Sequence, residues 1–295
     1  MFLSDHLALY LKQIFRQKGV RNGDFEVLSI VSGGDINFCC KLKAGAGFYF
    51  LKFNYLKKYP DMLFKEGQGL KLIANSGSIN TPDVVATGAV VDEQFLLLEW
   101  ITSGDKTAKK SQRLLGERLA EMHKNTHESF GLEFDNYMGS LKQTNTFCNN
   151  FTEFFIMNRL EIQLKIAFDN KLVNSDLYLK FKQIFTKFDE LYPTEDPALV
   201  HGDLWSGNYL AGLNQQPVLI DPAVSYSHRE IDIAMTTLFG GFSSEFYQAY
   251  TDVFPLAPEW QERCFLWNLY PLLIHLNLFG QSYIPQLKAN LQKFI

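Results

Sequence analysis

The hydrophobic period of this 295-residue chain changes once, near Trp100, and that change constrains the fold more than any other feature. Before it, short aromatic and β-branched runs alternate as strands do: FEVLSIV (25–31), NFCCKLK (37–43), FYFLKFN (48–54), VVATGAV (84–90) and QFLLLEW (94–100). SGGD and AGAG separate the first three and predict two hairpins. One helix interrupts them. In PDMLFKEGQGLKLIANSG (60–77), Leu63, Leu70 and Ile73 share a face and Gly77 is a stop signal. After Trp100 the apolar residues take helical spacing in SQRLLGERLAEMHKN, near 150–168, near 175–190 and from Glu230 onward. Two strand-like runs, around 208–211 and 217–221, break that pattern. The expectation is an α+β chain of two lobes. Residues 1–100 form a small antiparallel β-sheet lobe with one key helix. Residues 101–295 form a larger, mainly helical lobe, with the hinge near LLLEWITSG and a ligand cleft between the lobes.

Charge and apolar pattern exclude several classes of partner. A net charge of -4 offers no electrostatic draw toward nucleic acid or an anionic membrane. The most apolar late stretch, LWNLYPLLIHLNLFG, is broken by Asn268, Pro271, His275 and Asn277, whereas a membrane span needs about 20 largely apolar residues. The opening MFLSDHLALYLKQIFRQKG reads as an amphipathic helix and not a signal peptide. Cys39, Cys40, Cys148 and Cys264 form no CxxC pair, which favours a reducing, cytoplasmic setting. A monomer is the simplest assembly.

The chemistry concentrates in ALVHGDLWSGNYL (198–210). Asp203 is followed by Asn208 at +5, and Asp221 closes the run PVLI thirteen residues after Asn208. Protein kinases carry the same order: a base Asp, an Asn, then a metal-binding Asp after a strand. The base must reach the attacking hydroxyl, while the Asn and second Asp hold Mg²⁺ on the phosphates of ATP. A short loop supplies the first two residues and a hairpin returns the third. Taken singly, Asp203 and Asn208 would be turn residues and Asp221 a strand cap. Phosphoryl transfer also needs a cation for the nucleotide phosphates. Lys52 alternates with Phe48 and Phe50 on one face of its strand, and Glu66 lies on the apolar stripe of the next helix. Each needs a partner there, so the two are expected to meet. Gly33, Gly34 and Asp35 in SGGDIN would then form the phosphate-covering hairpin, or a plain turn. Glu99, Trp100 and Ile101 would offer backbone groups to the adenine. Asp232 is either a first-turn helix residue or a buried brace for the 201–203 loop; His228 with Arg229 either binds phosphate or is solvated, and solvation is the favoured reading.

These residues resemble the fructosamine (ketosamine) kinase family, within the aminoglycoside-phosphotransferase and protein-kinase-like fold. The resemblance rests on SGGDIN, FLKFN, KEGQGLKLI, FGLEFDNYMGSLKQTN, HGDLWSGN, IDPAVSYSHREIDIAMTTLFGGF and NLYPLLIHLNLFG, in order over nearly the whole chain. HGDLWSGN, with Trp205, and NYMGSLKQTN are the distinctive parts. The resemblance implies ATP-dependent phosphorylation of C3 of the sugar on a ketosamine, such as ribulosamine, erythrulosamine or fructosamine. The product decomposes and frees the amine, which is deglycation repair. It makes Asp203 the base, Asn208 and Asp221 the Mg²⁺ ligands, and Lys52 with Glu66 the phosphate-orienting pair. It also places Trp205 and His275 against the sugar, where His275 could equally be a satisfied core histidine. The family often has His at the position of Pro271 and Asn at that of Ile274, so the back of the acceptor pocket differs. The alternatives are a kinase for choline or an aminoglycoside-like amino-alcohol, a nucleotide-binding pseudoenzyme, and a metal-dependent phosphohydrolase built on His201, Asp203, Asp221 and His228.

Overall fold

The computed structural model describes residues 3–31 and 36–295, so Gly33, Gly34 and Asp35 lie outside the described residues. The chain divides into two compact units, Met1–Leu72 with Thr81–Thr102 and Ile73–Asn80 with Ser103–Ile295.

The first unit is one antiparallel sheet covered on both faces. Its strands β1 (Phe25–Ile30), β2 (Phe38–Ala44), β3 (Gly47–Tyr55), β4 (Val84–Val90) and β5 (Glu93–Glu99) run in the order β1-β2-β3-β5-β4. Helix α1 (Asp5–Gln17) starts where the Ser4 hydroxyl accepts the Leu7 N–H at 3.2 Å. Its Leu7, Leu11 and Phe15 recur at i, i+4 and i+8 and are fully buried against Leu42, Leu51, Phe53 and Leu97. Burial of such a side chain contributes at most roughly 1.5–3 kcal/mol. Helix α2 (Met62–Asn75) puts Leu63 and Leu70 against Leu96 and Leu98, with Phe50 packed on the same cluster. Strand period therefore turns Lys52 with Phe50 toward α2, and Leu51 and Phe53 toward α1. The buried Gln94 fixes the start of α2. Its Oε1 accepts the Leu63 N–H at 3.1 Å, and its amide donates to the Tyr59 carbonyl.

The second unit is mainly helical. It contains α3 (Lys109–His123), the hairpin β6 (Asn136–Met138) with β7 (Leu141–Gln143), α4 (Phe151–Phe155), α5 (Glu161–Asp169) and α6 (Ser175–Phe185). A π turn over Ile156–Leu160 joins α4 to α5. Then come β8 (Ala198–Val200), β9 (Tyr209–Ala211), β10 (Pro217–Leu219) and β11 (Ser225–Ser227). Five helices follow: α7 (Glu230–Leu238), α8 (Ser244–Val253), α9 (Trp260–Trp267), α10 (Leu269–Phe279) and α11 (Ile284–Gln292). Phe154, Phe155, Leu164, Phe181, Phe188, Trp267 and Leu272 fill the core of this unit. No helix among the described residues is long and apolar enough to cross a membrane.

Candidate active site

Two short strand pairs bring the conspicuous residues of the second unit together. β8 pairs with β11 through Val200 and Ser225, and β9 pairs with β10 through Tyr209 and Leu219. Between these pairs the two connecting segments are sewn to one another. Ala223 N–H donates to the His201 carbonyl (2.9 Å) and Ile220 N–H to the Asn208 carbonyl (3.0 Å). Asp203 and Asn208 sit on the first segment and Asp221 on the second. Asn208 Nδ2 donates to the Asp203 carboxylate (3.0 Å) and to its carbonyl (2.8 Å), so the oxygen end of the amide is the one left to meet a cation. Burial and the neighbouring Asp221 carboxylate push Asp203 up to about 7.

The backbone is strained where these residues are presented. Asp221 has φ +55°, a left-handed conformation that costs a non-glycine residue on the order of 1–3 kcal/mol. Gly202 has φ +83°, and a Cβ there would strike the Ala223 carbonyl oxygen, so only glycine fits.

Asp232, in the first turn of α7, is the brace of the loop. Its carboxylate accepts the N–H groups of His201 (2.7 Å) and Gly202 (2.8 Å), and the His123 Nε2 at 3.1 Å. Tyr250 OH lies 2.7 Å from His123 Nδ1, and Arg229 donates to Tyr250 OH and, through two nitrogens, to Glu195 at 2.8 Å. The expectation of a solvated His228 and Arg229 is therefore corrected. Both are buried, because Glu195 and the Phe254 and Pro255 carbonyls satisfy the guanidinium, and the Pro193 carbonyl faces His228 Nε2.

His201 is fully buried and its ring is committed to the loop. Nδ1 accepts the Asp203 N–H (3.2 Å), which leaves Nε2–H to donate to the Ile220 carbonyl (2.9 Å). His228 is engaged in the same way, with Nδ1 accepting the Glu230 N–H at 3.3 Å. Neither histidine has a ring nitrogen left for a metal. Among the described residues no group of three or more His, Cys, Asp or Glu side chains forms a metal cluster.

In the first unit, Lys52 Nζ lies 2.8 Å from Glu66 Oε1, with both side chains nearly excluded from water. β3 points its one charged residue, and α2 one of its three, into the same apolar layer, and the pair is the consequence. At the end of β5, the Glu99 N–H donates to the Asp83 carbonyl (2.9 Å) and the Trp100 N–H to the Phe48 carbonyl (3.2 Å). Trp100 also carries Lys41 over its ring at 4.1 Å. Ile101 follows, with no protein acceptor for its N–H among the described residues.

Sequence reasoning found NYMGSLKQTN distinctive without finding its work. The buried Gln143 Nε2 donates to the Ala223 carbonyl (3.0 Å) and to Asn136 Oδ1 (2.9 Å). Asn136 Nδ2 donates to the Val224 carbonyl (2.8 Å), and Tyr270 OH to Gln143 Oε1 (2.9 Å). The β6–β7 hairpin thus grips the backbone just after Asp221. Trp205 is half-exposed, lies over Gly207 and meets Phe239 edge-on at 6.4 Å. His275 packs on the other side of that cluster, 4.9 Å from Phe239, with its Nδ1 2.7 Å from the Pro271 carbonyl.

Comparison with known proteins identifies the family. The family model described as fructosamine kinase matches residues 10–295. An Enterococcus faecium protein named "Probable ketoamine kinase" is 41% identical over 268 residues, which is 90% of this chain and 94% of that protein. A crystal structure assigned as a fructosamine-3-kinase from Thermobifida fusca superposes with a TM-score of 0.83 at 30% identity, over 98% of both chains. An aminoglycoside phosphotransferase superposes with a TM-score of 0.66 over 99% of this chain and 100% of its own. At 14% identity it shares the fold alone, and that fold is the kinase-like one expected. The chain is a phosphotransferase and belongs to the fructosamine kinase family.

Proposed function

We propose that the protein transfers the γ-phosphoryl group of ATP to the C3 hydroxyl of a ketosamine, a ribulosamine, erythrulosamine or fructosamine, as a step of deglycation repair. One observation carries the reading: Asp203, Asn208 and Asp221 converge in a loop braced from beneath by Asp232. Asp203 takes the proton of the hydroxyl as its oxygen attacks the γ-phosphorus. The bond from that phosphorus to the bridging oxygen breaks, and ADP leaves with the electron pair. Asn208 holds the Asp203 carboxylate in place through its Nδ2 hydrogen bond. Lys52, oriented by Glu66, meets the phosphates of ATP. Gly33, Gly34 and Asp35 cover those phosphates, and the Glu99–Trp100–Ile101 segment receives the adenine. Ile101 is the first residue of that segment whose N–H is not already used by the sheet.

The donor set suits Mg²⁺. Asn208 and Asp221 bring hard oxygen ligands, and Mg²⁺ takes one or two carboxylates with phosphate oxygens and water. The mutual crowding of Asp203 and Asp221, which raises Asp203, is what a divalent cation relieves. When bound, Mg²⁺ neutralises charge on the transferring phosphate. The phosphohydrolase alternative loses its ligands, because His201 and His228 spend both ring nitrogens on backbone groups. Loss of a C1 proton gives the 1,2-enaminol, whose nitrogen lone pair expels the C3 phosphate, and water then hydrolyses the resulting C1 iminium to free the amine. Four cysteines that form no disulfide suit a cytoplasmic setting.

The test is ADP release across ribulosamine, erythrulosamine, fructosamine and choline, with and without Mg²⁺. Turnover of a ketosamine, lost in Asp203→Asn while ATP still binds, is the expected result. Activity on choline and none on any ketosamine would overturn the assignment.

A further inference from the structure

We infer that the aromatic surface running from Trp205 through Phe239 to Phe279 and Tyr283 is the subsite for the amine substituent of the acceptor. It selects ketosamines whose nitrogen carries an alkyl chain or an aromatic group. The inference rests on the reading of Asp203 proposed above and on the sugar contact that the family resemblance gives Trp205, and it concerns the half of the substrate that is not the sugar.

The rings are continuous. Trp205 meets Phe239 at 6.4 Å, Phe239 meets His275 at 4.9 Å, and His275 meets Phe279 at 5.5 Å and Tyr283 at 5.1 Å. They are also wet. Trp205, Phe239 and Phe279 expose 40%, 42% and 57% of their surface, where aromatic side chains of this size normally dominate a core. The surface begins inside the catalytic loop itself, since Trp205 N–H donates to the Asp203 carbonyl at 3.1 Å. The rings thus begin two residues after the aspartate proposed to receive the sugar hydroxyl.

The turn after α7 locks the surface to that loop. Gly240 and Gly241 have φ +72° and +92°, and a Cβ on Gly241 would press on the Ser206 side chain. The Ser243 N–H donates to Gln112 Oε1 (3.0 Å), and Gln112 Nε2 donates to Tyr209 OH (2.5 Å). Phe239 is therefore held at a set place relative to Trp205.

The chemistry of the ligand matches. A ketosamine nitrogen is a protonated secondary amine, and aromatic faces attract such a cation while offering apolar area to the chain beyond it. His275 does not oppose it. Nδ1 faces the Pro271 carbonyl at 2.7 Å and burial lowers the ring's pKa, so the imidazole stays neutral near pH 7.

The experiment compares ribulosamines made from methylamine, hexylamine and benzylamine on wild type, Phe279→Ala and Phe279→Tyr. Phe279 is exposed and lies outside the core, and a melting curve confirms that each variant folds. In the wild type the hexyl and benzyl substrates show a KM about tenfold below that of the methyl substrate at similar kcat. Phe279→Ala raises KM for the hexyl and benzyl substrates more than for the methyl substrate, so the advantage is lost, and Phe279→Tyr restores it. Equal KM for all three substrates in the wild type, or equal loss on all three in Phe279→Ala, overturns the subsite while the kinase assignment stands. No turnover of any of them overturns both.

Discussion

Asp232 Oδ2 accepts the backbone N–H of His201 at 2.7 Å, and the other carboxylate oxygen accepts Gly202 N–H. The 201–203 loop is thus held by an acceptor that belongs to a helix rather than to the loop. An ionised carboxylate serves two N–H donors at once, whereas an amide offers one oxygen and turns N–H against the other donor. Asp232→Asn is therefore expected to cost about 1–3 kcal/mol of stability, the penalty for a buried donor left unmade. It also lowers kcat at least about tenfold through misplacement of Asp203. Urea unfolding and steady-state kinetics measure the two effects separately. A variant with wild-type kcat would remove Asp232 from the positioning of the loop.

Asp203 gives the apo protein a pH signature. Burial and the Asp221 carboxylate raise its pKa to about 7 in the folded chain, from 3.8. Between those values the folded state keeps a proton that the unfolded state has released, so stability falls as pH rises across the window. Asp203→Asn deletes this dependence. Thermal unfolding without nucleotide should show the wild type losing more between about pH 5 and about pH 8 than Asp203→Asn loses. Mg·ATP should protect the wild type more at the upper end, because the cation favours both ionised carboxylates. Parallel curves for the two proteins would show that Asp203 ionises normally.

Much of this site can be read from the chain, and the reason is electrostatic cost. Lys52 on an apolar strand face and Glu66 on an apolar helix stripe have one economical solution, and the 2.8 Å pair is that solution. The five strands of the first unit span six to nine residues, long enough for period two to show. β6, β7, β8 and β11 have three residues each, too few to reveal a period. Arg229 looks solvated in sequence because its partner Glu195 is 34 residues away, and no local pattern points there. The same distance effect hides Gln143, which reaches a carbonyl 80 residues later.

Gln143 provides a test of that hidden contact. Gln143→Leu keeps the volume near the original but removes the donor to the Ala223 and Asn136 oxygens and the acceptor for Tyr270 OH. Three buried polar groups lose a partner, which predicts a loss of about 2–4 kcal/mol. The segment it holds carries Asp221, so the concentration of Mg²⁺ giving half-maximal rate should rise several-fold. A magnesium titration at fixed ATP reads this directly. Loss of stability with an unchanged magnesium requirement would make the hairpin a structural support only.

The buried Lys52–Glu66 pair separates stability from catalysis, because the two respond differently to single and double substitution. Lys52→Met leaves the Glu66 carboxylate in an apolar layer without its ammonium, and breaking such a pair costs about 3–5 kcal/mol. Replacing both with Met removes the second charge as well, and well-packed apolar residues in place of a buried pair are often neutral. The double variant should therefore regain most of the lost stability. It should not regain activity, since neither variant presents a cation to the phosphates of ATP. Both should show kcat/KM for ATP lower by about a hundredfold or more. Denaturant unfolding and ATP kinetics on the same preparations give the comparison. If the double variant recovered turnover along with stability, Lys52 would be a packing residue, and the cation for the nucleotide would have to come from elsewhere in the chain.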